Sequence, residues 1–211
     1  MRRKERWALT WRGRVLVGFI VVSLLAVALL QINPFLSPTR PVKADALIVE
    51  GWLPDYVLKN AVEEFNHGKY RLLVTTGGPL SKGSFLSEYK TYAELSAATI
   101  MRLGLKADQV MAVPAPRTTR DRTYASALAV RQWLSASNSD LHAVNVLSLG
   151  PHARRSRLLY QKAFGKEFAI GVISCPDEDY DQKHWWTSSA GVRTMPGEVI
   201  AYLYARFLFH P

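Results

Sequence analysis

The chain has 211 residues, with 27 lysines and arginines against 17 aspartates and glutamates and a formal net charge of +10. Six basic residues fall in the first fourteen positions, which leaves 21 basic against 16 acidic residues in the rest, with no basic stripe interleaved with aromatics of the kind a nucleic-acid groove needs. Nucleic acid is thereby excluded as a partner class, and the single cysteine, Cys175, excludes an internal disulfide.

Val15 to Ile32 is a run of eighteen uncharged residues preceded by Arg2, Arg3, Lys4, Arg6, Arg12 and Arg14. At about 1.5 Å per residue it covers roughly 27 Å, close to the hydrocarbon thickness of a bilayer, and Trp7 and Trp11 sit where interfacial aromatics are favoured. Only Arg40 and Lys43 follow in the next fifteen positions. The charge asymmetry therefore predicts residues 1–14 in the cytoplasm, one membrane helix over 15–32 and the remainder outside. A cleaved signal peptide is the competing reading. Against it, the small-residue triplet Ala26-Val27-Ala28 lies inside the apolar run, and Gln31-Ile32-Asn33-Pro34 offers no small-residue cleavage site.

Pro34, Pro38 and Pro41 predict a short stiff tether over 33–44, leaving 45–211 as one domain of ordinary size. Within it, short apolar runs alternate with helical patterns. Ala46 to Val49, Leu72 to Val74, Val110 to Val113, Val144 to Leu147 and Ala169 to Ile173 each end at a glycine, proline or threonine cluster and read as buried parallel strands. Between them, Val57, Leu58, Ala61, Val62 and Phe65 share one helix face, and Tyr92, Leu95, Ala98, Thr99 and Leu103 another. Asp121 or Thr123 is placed to cap a third helix, and a fourth spans Ala153 to Phe164. The alternation predicts a doubly wound, mainly parallel α/β sandwich of Rossmann-like form. A last helix from Pro196 to Phe209, with Tyr202, Tyr204, Phe207 and Phe209, is expected to pack on the sheet, with Trp185 and Trp186 closing one edge; the other reading of these aromatics is contact with the bilayer or a polyprenyl tail.

Open parallel sheets bind ligands at the carboxyl ends of their strands, where helix N-termini present unpaired amides. The unusual residues fall there: Glu50-Gly51-Trp52, Thr76-Gly77-Gly78, Arg117 to Thr123, and Gly150-Pro151-His152-Ala153-Arg154-Arg155. This order resembles the SanA/YdcF/ElyC family of bacterial envelope proteins over roughly Asp45 to Phe209. The likeness rests on Gly51, Thr76-Gly77-Gly78, Thr123 with Ala127, and His152 with Arg155. Two positions depart from the family pattern. Tyr92-Ala93 stands where relatives often carry Glu-Ala, with Glu94 and Glu88 nearby, and Glu50 replaces a small or apolar residue. The resemblance implies a membrane-anchored α/β domain at the bacterial inner membrane, extracytoplasmic, associated with peptidoglycan or lipid-carrier metabolism.

Taken alone, His152 could merely cap a helix and the arginines could be a solvated loop. Together they describe an anion site. Arg155 lies one turn from His152 on the same helix face, and Arg122-Thr123 combines a guanidinium and a hydroxyl at a helix start. The candidate ligand-binding residues are Gly51, Thr76, Gly77, Gly78, Arg122, Thr123 and Arg155, with His152 and Glu50 as candidate proton carriers. No dinucleotide, P-loop, zincin or nucleophile-elbow motif occurs, and the five histidines are scattered, so no cofactor and no metal is assigned. The expected ligand is a lipid-linked phosphate or sugar nucleotide, and the expected partners are membrane lipid and envelope-assembly proteins. If there is chemistry, it is hydrolysis or transfer at a phosphoryl or pyrophosphoryl ester. The competing reading is a non-catalytic regulatory or scaffold module.

Overall fold

A computed structural model describes residues 10–137 and 140–211. Trp7 and four of the basic residues behind the topology argument, Arg2, Arg3, Lys4 and Arg6, lie outside the described residues. Helix α1 (Trp11–Leu36) leads into alternating elements: β1 (Ala46–Glu50), α2 (Asp55–His67), β2 (Leu72–Gly77), α3 (Tyr92–Arg102), β3 (Val110–Pro114), α4 (Arg122–Ala136), β4 (Ala143–Leu149), α5 (His152–Phe164), β5 (Ala169–Cys175) and α6 (Ser189–Leu203). The five strands form one parallel sheet in the order β3-β2-β1-β4-β5 with helices on both faces, a doubly wound α/β fold.

Alternation along each strand decides what faces what. Leu47 and Val49 point to the face covered by α2 and α3, with Val57, Leu58, Ala61, Phe65 and Ile100. Ala46, Ile48, Val74, Val144 and Val146 point to the face covered by α4 and α5, with Ala127, Val130, Tyr160 and Phe164. The same parity places the polar residues Glu50, Thr76 and Ser148 on the α4–α5 face at the carboxyl ends of their strands. All three are buried. Cys175 lies buried in the opposite core, at the end of β5, and burial pushes its thiol up to about 11.

Helix α1 is long and apolar enough to cross a membrane. It does not stop at the end of the uncharged run. Pro34 sits inside its last turn, and Asn33 and Leu36 are buried against the domain. Leu36 joins Tyr180, Trp185 and Met195 in a third apolar cluster, and the Trp185 indole N–H donates to the Leu29 carbonyl at 3.2 Å. The stretch read from its prolines as a tether is held along the edge of the sheet. Arg40 forms an antiparallel bridge with Val172, and Ser174 N–H donates to Thr39 Oγ1 at 3.1 Å. Asn145, buried in β4, secures it further: its Oδ1 accepts from Val42 N–H and its Nδ2 donates to Val42 O, each at 2.9 Å. A glycine opposite makes room, since a Cβ on Gly171 would lie 1.9 Å from Asn145 Oδ1.

The C-terminal helix starts earlier than Pro196. Ser188 caps it by accepting from Gly191 N–H at 3.1 Å, and Pro196 lies in its interior. The last turn, Tyr204–Leu208, widens to a π-helix. Phe209 thereby reaches the Tyr124 ring of α4 at 5.0 Å.

Candidate functional site

Strand order reverses between β1 and β4, so the crevice above their carboxyl ends is the topological switch point of the sheet. A cleft of about 880 Å³ opens there. Glu50, Thr76, Gly77, Gly78, Arg122, Thr123, His152 and Arg155 all line it, so eight of the nine residues singled out by the sequence come together.

Gly51 is the exception. It lies outside the lining, where its N–H donates to Thr76 O at 2.7 Å and a Cβ would stand 2.5 Å from the Tyr92 carbonyl oxygen. Its role is to let the β1 turn pass against the start of α3. Gly77 is also under α3, with a Cβ 2.8 Å from Tyr92 Cβ, whereas Gly78 has ordinary van der Waals space, its nearest neighbour being Pro116 O at 3.7 Å. Tyr92 itself lines the cleft and shares a 2.8 Å hydrogen bond with Ser81. Neither acidic neighbour takes over that place. Glu94 closes a capping box with Thr91, and Glu88 is exposed outside the lining.

At the floor of the cleft Glu50 is 2% exposed. Its carboxyl group accepts from Ser148 Oγ at 2.5 Å and Ser156 Oγ at 2.9 Å, so β4 and α5 each supply a hydroxyl to a buried polar side chain. His152, at the first position of α5, brings Nε2 to 3.7 Å from Glu50 Oε1 and 3.4 Å from Thr123 Oγ1. Gly150, at φ +43°, makes the turn that presents it, and the Trp52 ring meets the imidazole edge to face at 5.0 Å.

The other imidazole nitrogen meets a residue that sequence reasoning did not single out. Glu198 of α6 lies 3.0 Å from His152 Nδ1 and also accepts from Arg155 Nε at 2.9 Å and Nη2 at 3.0 Å. Burial alone would raise the Glu198 carboxyl; hydrogen bonds from His152 and Arg155 outweigh it and hold the group at about 2. Glu198 is thus a carboxylate at any ordinary pH. Arg155 Nη2 lies 2.8 Å from the same Nδ1, so that nitrogen is engaged on the α6 side and His152 presents Nε2 to the cleft. Arg155 is already bidentate on a carboxylate, so its first task is to hold Glu198 and His152 in line.

The free cationic wall is on the other side. Arg117 and Arg122 line the cleft, are exposed and make no ion pair among the described residues. Asp121 occupies the N-cap of α4 in the left-handed region, at φ 50° and ψ 43°, and its side chain makes no capping hydrogen bond. The first amides of α4 therefore have no side-chain cap, and Asp121, Arg122 and Thr123 at that end of the helix line the cleft. Among the described residues, no group of three or more His, Cys, Asp or Glu side chains is disposed to hold a metal ion. Compared with known proteins, the sequence matches no family model and no curated protein.

Proposed function

We propose that the chain is a membrane-anchored envelope protein whose extracytoplasmic domain binds and processes a phosphate-bearing ligand, a polyprenyl-phosphate carrier or a sugar nucleotide, in peptidoglycan and envelope biogenesis. The observation that carries this reading is the facing of two walls. On one side, Arg122, Arg117 and the start of α4 offer positive charge and amide donors; on the other, His152 stands between Glu50 and Glu198. Phosphate oxygens fit the first wall. The bridging oxygen of an ester then lies toward His152 Nε2: as a water oxygen bonds to phosphorus and the bond to the bridging oxygen breaks, Nε2–H gives its proton to the departing oxygen, and the proton shed by the attacking water restores the imidazole. The likeness of the edge motifs to the SanA/YdcF/ElyC family supports the envelope setting, and the run of basic residues before α1 supports a cytoplasmic N-terminus.

One observation favours a binding module without turnover. Both Glu50 oxygens are engaged by serine hydroxyls. A carboxylate so satisfied orients its neighbours as readily as it exchanges protons.

The test is thermal stabilisation of the full chain in detergent by polyprenyl phosphates, sugar nucleotides, plain nucleotides and inorganic phosphate. A ligand at a hundredfold excess over its Kd adds about 2.7 kcal/mol. Stabilisation by one phosphate ester that disappears in Arg122→Ala, with turnover lost in His152→Ala while binding persists, is the expected result. Binding with no turnover in the parent chain would leave the module reading, and no stabilisation across the panel would refute both.

A further inference from the structure

A second cavity, of about 240 Å³, lies away from the cleft beside the end of α1. Arg40, Arg154, Arg157 and Arg206 line it together with Pro38 and Tyr202, and among the described residues no carboxylate does. None of the four arginines makes an ion pair among the described residues. Two are fixed through one nitrogen each. Arg154 Nε donates to the Phe35 carbonyl, with its guanidinium 3.9 Å over the Phe35 ring, and Arg157 Nε donates to Ile170 O at 3.0 Å. Their terminal nitrogens have no hydrogen-bond acceptor among the described residues. Four guanidinium groups around so small a space repel one another until an anion enters, and the volume suits a phosphate group rather than a whole nucleotide sugar.

We infer that this four-arginine pocket binds the phosphate headgroup of an anionic membrane lipid. Its position selects a lipid over a free anion. Phe35, in the last turn of α1, packs edge to face on Tyr202 of α6 at 5.6 Å. The Trp185 indole reaches Leu29, about 10 Å back along α1, the depth of an interfacial tryptophan for a helix that spans a bilayer. Between pocket and cleft, the outer face of α6 and its π turn carries Ile200, Leu203 and Phe207, which are 69%, 47% and 65% exposed. An exposed apolar stripe flanked by arginines, beside a spanning helix, is the composition of a surface that lies on a bilayer and draws anionic headgroups to it. This assignment rests on α1 as a membrane span and stands whether or not the cleft turns over a substrate.

The full chain in a neutral detergent is titrated with phosphatidylglycerol, phosphatidylcholine or inorganic phosphate, and the thermal midpoint is followed. Phosphatidylglycerol should stabilise it, while the other two have no effect at the same concentrations. The concentration required should rise about fivefold in Arg206→Gln and about as much again in the Arg154→Gln/Arg206→Gln double variant. Arg206 is exposed and unpaired, so the single variant carries the test should the double variant not fold. Arg122→Gln, in the cleft, should respond like the parent. Equal stabilisation by phosphatidylcholine, or a phosphatidylglycerol response that survives Arg206→Gln, would overturn the inference. So would a response lost in Arg122→Gln, which moves the headgroup to the cleft, or one matched by inorganic phosphate, which makes the pocket a free-anion site.

Discussion

Glu198 and Arg155 form a bidentate pair at 2.9 and 3.0 Å, although 43 positions separate them, and the same carboxylate holds His152 Nδ1 at 3.0 Å. One side chain of α6 thus fixes both polar residues that α5 brings to the cleft. Glu198→Gln should cost about 2 kcal/mol near neutral pH by leaving a partly buried guanidinium without its counter-charge. The pH dependence has a definite sign. The folded carboxyl lies at about 2 against an ordinary 4.5, so the unfolded chain takes up the proton first. The contribution is complete above about 4.5 and is lost as the pH falls toward 2. Urea denaturation across that range should show the parent losing its advantage over Glu198→Gln.

Arg155 and Arg122 should separate structure from ligand. Arg155→Ala breaks the pair with Glu198 and should lower stability by about 2 kcal/mol along with activity. Arg122 is exposed and unpaired; its replacement by alanine should change stability by less than about 0.5 kcal/mol and weaken phosphate-ester binding about tenfold. Parallel denaturation and ligand titration of the two variants check this.

The glycines divide in the same way. Gly51→Ala drives a methyl to 2.5 Å from the Tyr92 carbonyl and should destabilise the fold by about 1–3 kcal/mol without a specific effect on the ligand. Gly78→Ala has space, so its thermal midpoint should stay near that of the parent while ligand affinity falls.

Ser156→Ala should test how firmly Glu50 is held. Removing one of two hydroxyl donors to a buried carboxylate should cost about 1.5–3 kcal/mol, measured by denaturation at neutral pH. A cost near zero would show that Glu50 has another donor at hand.

The sheet and the site's edge were legible because strand and helix periods differ and because each strand ends on, or just before, a glycine or proline. Eight of nine candidates line one cleft for a simple reason: in a parallel sheet every strand end lies on the same side. Glu198 was not legible. It sits in a helix whose apolar positions dominate the pattern, and its partners are more than forty residues away. The available signal was its isolation, since no other acidic residue follows Asp181. Gly51 shows the opposite failing: glycine is demanded equally by a ligand and by a backbone in close approach, and only the folded arrangement tells which. The prolines after the apolar run read as a stiff tether over 33–44; in the fold Pro34 falls in the last turn of α1 and Arg40 pairs with Val172 at the edge of the sheet.

In a bilayer, a spanning helix answers changes in thickness by changing its tilt. Helix α1 enters the domain with its last residues buried and with Trp185 bonded to it a further two turns down, so it has no swivel at the surface. Where α1 spans a bilayer, any inclination of the helix is passed on to the cleft as rotation of the whole body, so that lipid thickness acts on which way the mouth of the site looks.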